Sequence, residues 1–379
     1  LSAPFYHTTI IRRKSQISFA NAVLRNIDRD GRSRLEGTSV VDNLDPWLAE
    51  QWVKQYGEES TEGMVEAAMS QSPVFITVNH SMDRSSERLE EIRDIFTTTN
   101  DEGDPQSAEL LPVGSIRIPS NLGGAVSKWP LYDEGAWWVQ DVSATLPAIS
   151  LFNSLSNNKQ SESENQHRPV EDMHVVDLCS APGGKTAQLC SMGFGRVDAV
   201  EFSARRSRSL RQNLKRLGME DVCNVFVADG REFLPEADDA TGPVKVEGVL
   251  LDAPCSATGV GSRRPDVLRK KIDMNDLTSL QRDLLVHAVH NILEVGGVLV
   301  YATCSLLRQE GEDQIEWLLS EHQSGSLLLE TIPFTPGEIP GFDDSIDENG
   351  WLRVIPGVLP GSLKFCDGFF VARIRKKSY

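Results

Sequence analysis

Two cysteines, Cys255 and Cys304, each stand just after a short apolar run, in Leu251-Asp252-Ala253-Pro254-Cys255-Ser256 and Tyr301-Ala302-Thr303-Cys304-Ser305. An ionised thiol is a strong side-chain nucleophile, so two thiols at corresponding places point to covalent chemistry. Zinc and a disulfide framework are poorer readings. The six cysteines, at 179, 190, 223, 255, 304 and 366, include no Cys-x-x-Cys pair, and a reducing compartment suits them better. A single cysteine is most often a small buried hydrophobe, and that is the reading for Cys190, Cys223 and Cys366.

A second group of residues suits a small ligand. In Asp177-Leu178-Cys179-Ser180-Ala181-Pro182-Gly183-Gly184-Lys185-Thr186 an apolar run gives way to two glycines. Glycines let the backbone turn tightly, approach a ligand and open a helix whose amides face outward. A Walker loop would need Gly where Cys179 stands, and there is no Gly-x-Gly-x-x-Gly; an ordinary strand-to-helix turn explains the glycines equally well. Glu201 ends the next run, 18 residues beyond Gly183. An acid there suits the two hydroxyls of a ribose, or simply the N-terminus of a helix. The third run ends in Ala228-Asp229-Gly230, where Asp229 could meet an adenine amine. A glycine loop followed by two acids fits a nucleoside of little negative charge, which favours S-adenosylmethionine over a dinucleotide.

These residues need elements to hold them. The apolar runs 175–178, 197–202, 225–228, 246–251 and 298–302 alternate with helical patterns, Ala204–Leu217 with Leu210, Leu214 and Leu217 on one face, and Leu280–Leu293. Strands alternating with helices predict βαβ units and a mostly parallel, doubly wound sheet that binds its ligand at the strands' carboxyl ends. Adjacent strands lie about 4.8 Å apart, so two thiols at neighbouring strand ends can reach one pocket. Upstream, 10–34 is basic and helical in pattern, 45–69 is helical, 74–78 a strand and 85–96 an amphipathic helix. Three polar stretches, 97–109, 153–172 and 335–350, read as an exposed loop, a solvated linker or insertion, and a further acidic segment. With 379 residues the chain is long enough for two domains. Its 38 Lys+Arg against 55 Asp+Glu give a net charge of −17, which argues against a general nucleic-acid coat but not against local basic patches. The chain opens on Leu1 rather than Met, which suggests a missing start. The composition is that of a soluble intracellular protein, expected to be a monomer without membrane or metal.

The segments 177–186, Asp-Ala-Pro-Cys-Ser-Ala-Thr-Gly-Val at 252–260, Tyr-Ala-Thr-Cys-Ser at 301–305 and Asp-Gly-Phe-Phe at 367–370 resemble the Sun/Nop family of RNA cytosine-C5 methyltransferases, and within it the bacterial RsmB type that acts on small-subunit ribosomal RNA. Phe19-Ala-Asn-Ala-Val-Leu-Arg25 is similar to the last helix of that group's NusB-like domain, while Pro46-Trp47-Leu48 and Val139-Gln140-Asp141-Val142-Ser143 resemble its linker region and the start of its catalytic domain. The resemblance implies a Rossmann-like class I methyltransferase fold with an antiparallel last strand around 369–374, preceded by a small α/β RNA-binding domain. It implies a NusB-like remnant at 1–36, the small domain at 37–134 and an S-adenosylmethionine-dependent catalytic domain at 135–379, with 153–172 inserted.

The implied chemistry follows from the base. Cytosine C5 is too electron-poor to attack a methyl group until a thiolate adds to C6. The family assigns that attack to Cys304 and release of the RNA to Cys255, with Asp252 expected to supply a proton or hydrogen bond at N3. Cofactor contacts carried over from the family fall on Cys179, Ser180, Ala181, Pro182, Gly183, Gly184, Lys185, Glu201, Asp229 and Asp252. A paired cytosine would need extrusion, so single-stranded or loop RNA is the expected partner. Two basic clusters could meet it: Arg205, Arg206, Arg208, Arg211, Lys215 and Arg216, read as a solvated helix face, and Arg263, Arg264, Arg269, Lys270 and Lys271, ranked higher because they follow the Cys255 loop. The chain departs from the family pattern at Thr77, where an Arg is usual, and at Arg308-Gln309-Glu310-Gly311, which keeps only the second acid of Pro-Glu-Glu-Asn. Two alternatives stay open: the same chemistry on transfer RNA, and an RNA-binding ribosome-assembly factor that needs neither thiol.

Overall fold

The computed structural model describes residues 19, 21–23, 25, 38–81, 85–99, 105–156, 168–236, 244, 246–322 and 327–377. Two units form, Leu1–Asn43 and Leu44–Tyr379. In the first, residues 19, 21–23 and 25 are helical and Val40–Asn43 makes a 3-10 turn; the rest of the basic helical pattern expected over 10–34 lies outside the described residues.

In the second unit, helix α1 (Pro46–Tyr56) begins where the Asp45 side chain accepts the Trp47 N–H, and it breaks at Gly57, whose φ of 83° leads into α2 (Glu58–Met69). A small antiparallel sheet follows. Its strands are β1 (Val74–Val78), β4 (Glu109–Leu110), β5 (Ile116–Ile118) and β6 (Trp137–Val139), in the order β4-β5-β1-β6. Helix α3 (Ser86–Ile95), capped by Ser85, belongs to the same region, and its Ile92 packs with Phe96, Trp129 and Trp137 in a core of apolar and aromatic side chains. The expected loop over 97–109 instead contains a minimal hairpin, β2 (Thr98–Thr99) with β3 (Pro105–Gln106). The small sheet takes its last strand from beyond residue 134, the boundary expected from the sequence.

Among the described residues the larger sheet has eight strands. Five are parallel, in the order β11 (Val298–Thr303), β10 (Gly248–Asp252), β7 (His174–Leu178), β8 (Arg196–Val200), β9 (Cys223–Phe226). β14 (Phe369–Lys377) runs antiparallel beside β11, and β12 (Leu328–Thr331) and β13 (Leu352–Val354) pair with β14. The chain order reverses between β7 and β10, the switch point at which doubly wound sheets open a crevice. Helices α4 (Leu146–Ser156), α5 (Gly184–Ser191), α6 (Ala204–Leu217), α7 (Met274–His287) and α8 (Glu312–Glu321) connect the strands. The antiparallel last strand matches the expectation.

Some expected limits shift. The stretch 153–172 is not all insertion, because α4 runs to Ser156 and Val170–Asp172 forms a turn; 157–167 lie outside the described residues. β9 starts two residues early. The helix expected over 280–293 starts at Met274, where Asp273 caps it, and ends in a π turn over Ala288–Ile292. The polar stretch 335–350 buries Ile339 and Phe342, and its Glu338 pairs with Arg373 of β14.

Candidate active site

Register brings the two thiols together. β10 pairs with β11 so that Asp252 lies opposite Ala302, and the loops leaving these ends place the sulfurs of Cys255 and Cys304 3.5 Å apart. Their surroundings differ. Cys304 lines a cavity of about 520 Å³ with Asp252, Lys185 and residues of the glycine loop; Cys255 is not among the lining residues. The hydrogen bond with Cys304, and then burial, push the Cys255 thiol well above the ordinary thiol range. Cys304 instead shares the electrostatic environment of Lys185. Burial works against the Lys185 ammonium, but Asp252 outweighs it, through charge and a 2.8 Å hydrogen bond, and Cys304 adds to the stabilisation. Lys185 also sits 5.0 Å from the centre of the Phe369 ring. Asp252, expected to supply a proton or hydrogen bond to the base, accepts from the Lys185 ammonium at 2.8 Å.

The loops that carry the thiols are held from several sides. Gly259 N–H donates to the Cys304 carbonyl at 2.9 Å and Gly368 N–H to the Gly259 carbonyl at 2.8 Å. Both contacts need bare backbone: a Cβ on Gly259 would lie 2.3 Å from the Gly368 oxygen and 2.8 Å from the Cys304 oxygen. On the other side of the pair, the buried Glu310 accepts from the Ser256 N–H and hydroxyl and from Gln281. This is the acid that survives in the divergent Arg-Gln-Glu-Gly segment. Arg353 donates to the Ser305 carbonyl at 2.6 Å and is itself ion-paired with Glu312, both buried. Nothing in the sequence singled out Arg353 or Glu312. Cys179 and Ala257 take left-handed backbone conformations at φ 63° and 59°, conformations rare for residues with side chains and frequent at functional sites.

The glycine loop leads from β7 into α5. Gly183, at φ 107°, would bring a Cβ to 2.4 Å from Leu210 of α6, so the loop is seated directly on that helix. Cys179, Ser180, Ala181, Pro182, Gly183, Gly184 and Lys185 all line the cavity. Burial raises the Cys179 thiol above its ordinary range, so it is an inert wall rather than a nucleophile. Glu201 and Asp229 do not line this cavity. They follow β8 and β9, Glu201 accepting from the Ala181 and Ser203 amides and Asp229 gripped by Arg231. Phe202, Val227 and Leu234, close to them in the chain, leave their large apolar side chains exposed.

Asp177, quoted in the motif but given no role, is a further site residue. It is fully buried, lines the cavity, and accepts from the Thr186 hydroxyl on one oxygen. Its other oxygen has no partner among the described residues. Burial lifts this carboxyl to about 7, Thr186 opposing and Asp252 adding. Such a group suits a cationic amine.

The expected RNA contacts divide. Arg263 lines the cavity, is exposed, and is bound to two buried carboxylates, Asp141 and Asp367, so it joins the Val-Gln-Asp-Val-Ser and Asp-Gly-Phe-Phe segments. Arg264 pairs with Asp266. Lys270 and Lys271 are exposed. Thr77 is buried, its hydroxyl without a partner. Among the described residues no group of three or more His, Cys, Asp or Glu could hold a metal ion, and no helix is long and apolar enough to cross a membrane.

Residues 166–375 match the family described as 16S rRNA methyltransferase RsmB/F. The chain is 31% identical over 371 residues to ribosomal RNA small subunit methyltransferase B of Sodalis glossinidius, covering 94% of this chain and 72% of that protein. It is 34% identical over 268 residues to ribosomal RNA small subunit methyltransferase F of Cronobacter sakazakii, and spans about half of that relative's length, 52%. Among solved structures, a methyltransferase homolog protein from Pyrococcus horikoshii superposes with a TM-score of 0.64 at 22% identity, over 90% of this chain and 99% of that one. The fold is thereby a Rossmann-like methyltransferase fold.

Proposed function

Because this chain belongs to the 16S rRNA methyltransferase RsmB/F family, we propose that it methylates cytosine C5 in ribosomal RNA, with Cys304 as nucleophile and S-adenosylmethionine as methyl donor. The observation that carries this reading is the asymmetry of the thiol pair: Cys304 faces the cavity beside the Lys185–Asp252 pair, while Cys255 lies behind it.

Residues of the cavity and of the neighbouring ends of β8 and β9 fit the cofactor. The unpartnered oxygen of buried Asp177 suits the amine of its methionine part. Glu201 and Asp229 suit the ribose and the adenine amine, with exposed Phe202 and Val227 offering apolar faces for the base. The cofactor, when bound, supplies an electrophilic methyl group on a sulfonium.

The protein's own groups do the rest. The Cys304 thiol gives up its proton to solvent and the resulting thiolate adds to C6 of the cytosine, forming an S–C6 bond and moving the C5–C6 π electrons onto C5. Lys185, held by Asp252, donates a hydrogen bond or proton to the ring's N3–O2 edge, which takes up the charge. Once C5 carries the methyl group, water takes the C5 proton, the C5–H electrons restore the double bond as the S–C6 bond breaks to release the Cys304 thiolate, and the ring edge returns any proton to Lys185. The Cys255 S–H, 3.5 Å from that sulfur, stabilises it as it leaves. The small domain read over 37–134, whose sheet takes its last strand from Trp137–Val139, belongs to the same proposal as an RNA-binding domain.

The direct test is nucleoside analysis of ribosomal RNA after incubation with isotopically labelled S-adenosylmethionine. Label should appear in 5-methylcytidine with the wild-type chain and not with Cys304→Ala. Label in another nucleoside, or undiminished 5-methylcytidine from Cys304→Ala, would refute the proposal. Transfer RNA in parallel distinguishes the other substrate.

A further inference from the structure

Helix α6 carries six basic residues and no acid, and the structure sorts them into two sets. Arg206 donates to the Ala181 carbonyl and pairs with Glu201, Arg211 donates to the Val225 carbonyl, and Arg216 donates to the Tyr132 and Trp137 carbonyls while stacking 4.0 Å from the Tyr132 ring centre. These three are spent on the fold. Arg205, Arg208 and Lys215 are exposed, and no hydrogen bond or ion pair engages them among the described residues.

Their placement follows from helix geometry. The buried residues Ser207, Leu210, Leu214 and Leu217 occupy one side of α6. At about 100° per residue, Arg205, Arg208 and Lys215 fall together on the opposite side, on a stripe about 15 Å long. The same helix reaches the cavity by another face: Asn213, Arg216 and Leu217, centred about 120° round the helix from the stripe, line it together with Cys304 and Lys185. In a chain with 55 acidic residues and a net charge of −17, a basic helix face left unpaired among the described residues is conspicuous. On exposed helices the ordinary arrangement pairs such residues with acids three or four positions away.

We infer that Arg205, Arg208 and Lys215 form the track along which the phosphate backbone of single-stranded RNA, next to the target base, lies on this protein. The inference rests on the RNA reading above and specifies its surface. It reverses the ranking drawn from the sequence, in which this helix face was read as merely solvated, and the Lys270/Lys271 pair serves as the competing surface in the test. Charge complementarity selects nucleic acid as the occupant, and the helix that carries the stripe also lines the cavity by a neighbouring face. Contacts of this kind position the strand without reading its sequence.

The test compares wild type, Arg205→Gln/Arg208→Gln/Lys215→Gln and Lys270→Gln/Lys271→Gln, each as the full chain. Affinity for a short fluorescein-labelled single-stranded oligoribonucleotide is read by anisotropy across a range of salt concentrations. Loss of three phosphate contacts should weaken binding about tenfold or more at low salt and flatten the slope of log affinity against log salt by about 2. Thermal stability should stay unchanged, and kcat at saturating RNA should be preserved while KM rises. Equal affinity and slope in the triple variant, or loss confined to the Lys270/Lys271 variant, would overturn the track, including in favour of a protein partner on this face. If the wild type binds RNA through the triple site yet methylates nothing, the track stands and the methyl-transfer reading falls. A wild type that binds no RNA overturns both.

Discussion

Cys304 and Cys255 are chemically identical and 3.5 Å apart, so their roles must be separated by their neighbours. Lys185 shares its field with Cys304, and the cavity opens on that sulfur. Both thiols were readable from the sequence because they follow apolar runs at adjacent strand ends. Asp177 was not, since a buried aspartate inside a strand looks like any other polar interruption until its unpartnered oxygen is seen. Its carboxyl sits at about 7 against an ordinary 3.8. A raised acid contributes stability that is fully present below 3.8 and is lost as pH rises from there through about 7. Asp177→Asn should therefore gain on wild type across that window, by up to a few kcal/mol in the cofactor-free protein. Denaturant melts at pH 5 and pH 8 would show it; a constant difference between the two pH values would refute it. Wild-type affinity for S-adenosylmethionine should also fall as the pH drops below about 7, whereas the Asn variant binds weakly at every pH.

At the scale of elements, the site depends on loops meeting where strands end. The parallel strands were legible as short apolar runs because both faces of the sheet are covered. Helix α4 was not: it buries most of its sides, and Ser150, Ser154 and Ser156 bond the carbonyls four residues back, so no polar stripe marks it. The joining of 252–260 to 367–370 was equally hidden, since backbone contact between Gly259 and Gly368 leaves no pattern in either segment. Gly259→Ala tests that joint. Its methyl group must push the Cys304 loop away from the Asp-Gly-Phe-Phe strand end. A displacement of about 1 Å at a reacting group can cost about 100-fold in rate, so methyl transfer should fall by about that factor while S-adenosylmethionine affinity is nearly unchanged. Wild-type turnover in Gly259→Ala would show that the joint is not needed.

In the molecule as a whole, the small sheet and the large one meet along the C-terminal end of α6. Asn79 donates to the Gly135 and Leu217 carbonyls at 2.9 and 3.0 Å, and Arg216 reaches Tyr132 and Trp137. Gln140, beyond β6, bonds Gln188 of α5. The cavity is walled from both sides of this seam, by Tyr132 and Trp138 as well as by the glycine loop. The sequence showed the parts but not the seam, which is built from side chains bonding to carbonyls far along the chain. A Cβ at Gly135 would lie 2.3 Å from the Arg216 oxygen, and the residue holds φ 69°. Gly135→Ala should lower the melting temperature by several degrees and raise KM for RNA, with the S-adenosylmethionine Kd close to wild type. An equal loss of affinity for both ligands would mean that the seam serves overall stability only.

The assignment of Cys304 as nucleophile is tested most directly with RNA containing 5-azacytidine, whose ring nitrogen at position 5 carries no proton to lose, so that a C6 adduct persists. Wild type, Cys255→Ala and Cys304→Ala are incubated with S-adenosylmethionine and this RNA and run on a denaturing gel. A covalent protein–RNA band in wild type and Cys255→Ala, absent in Cys304→Ala, is the expected outcome. A band lost only in Cys255→Ala would reverse the two roles, and no band in any of the three would remove the covalent step altogether.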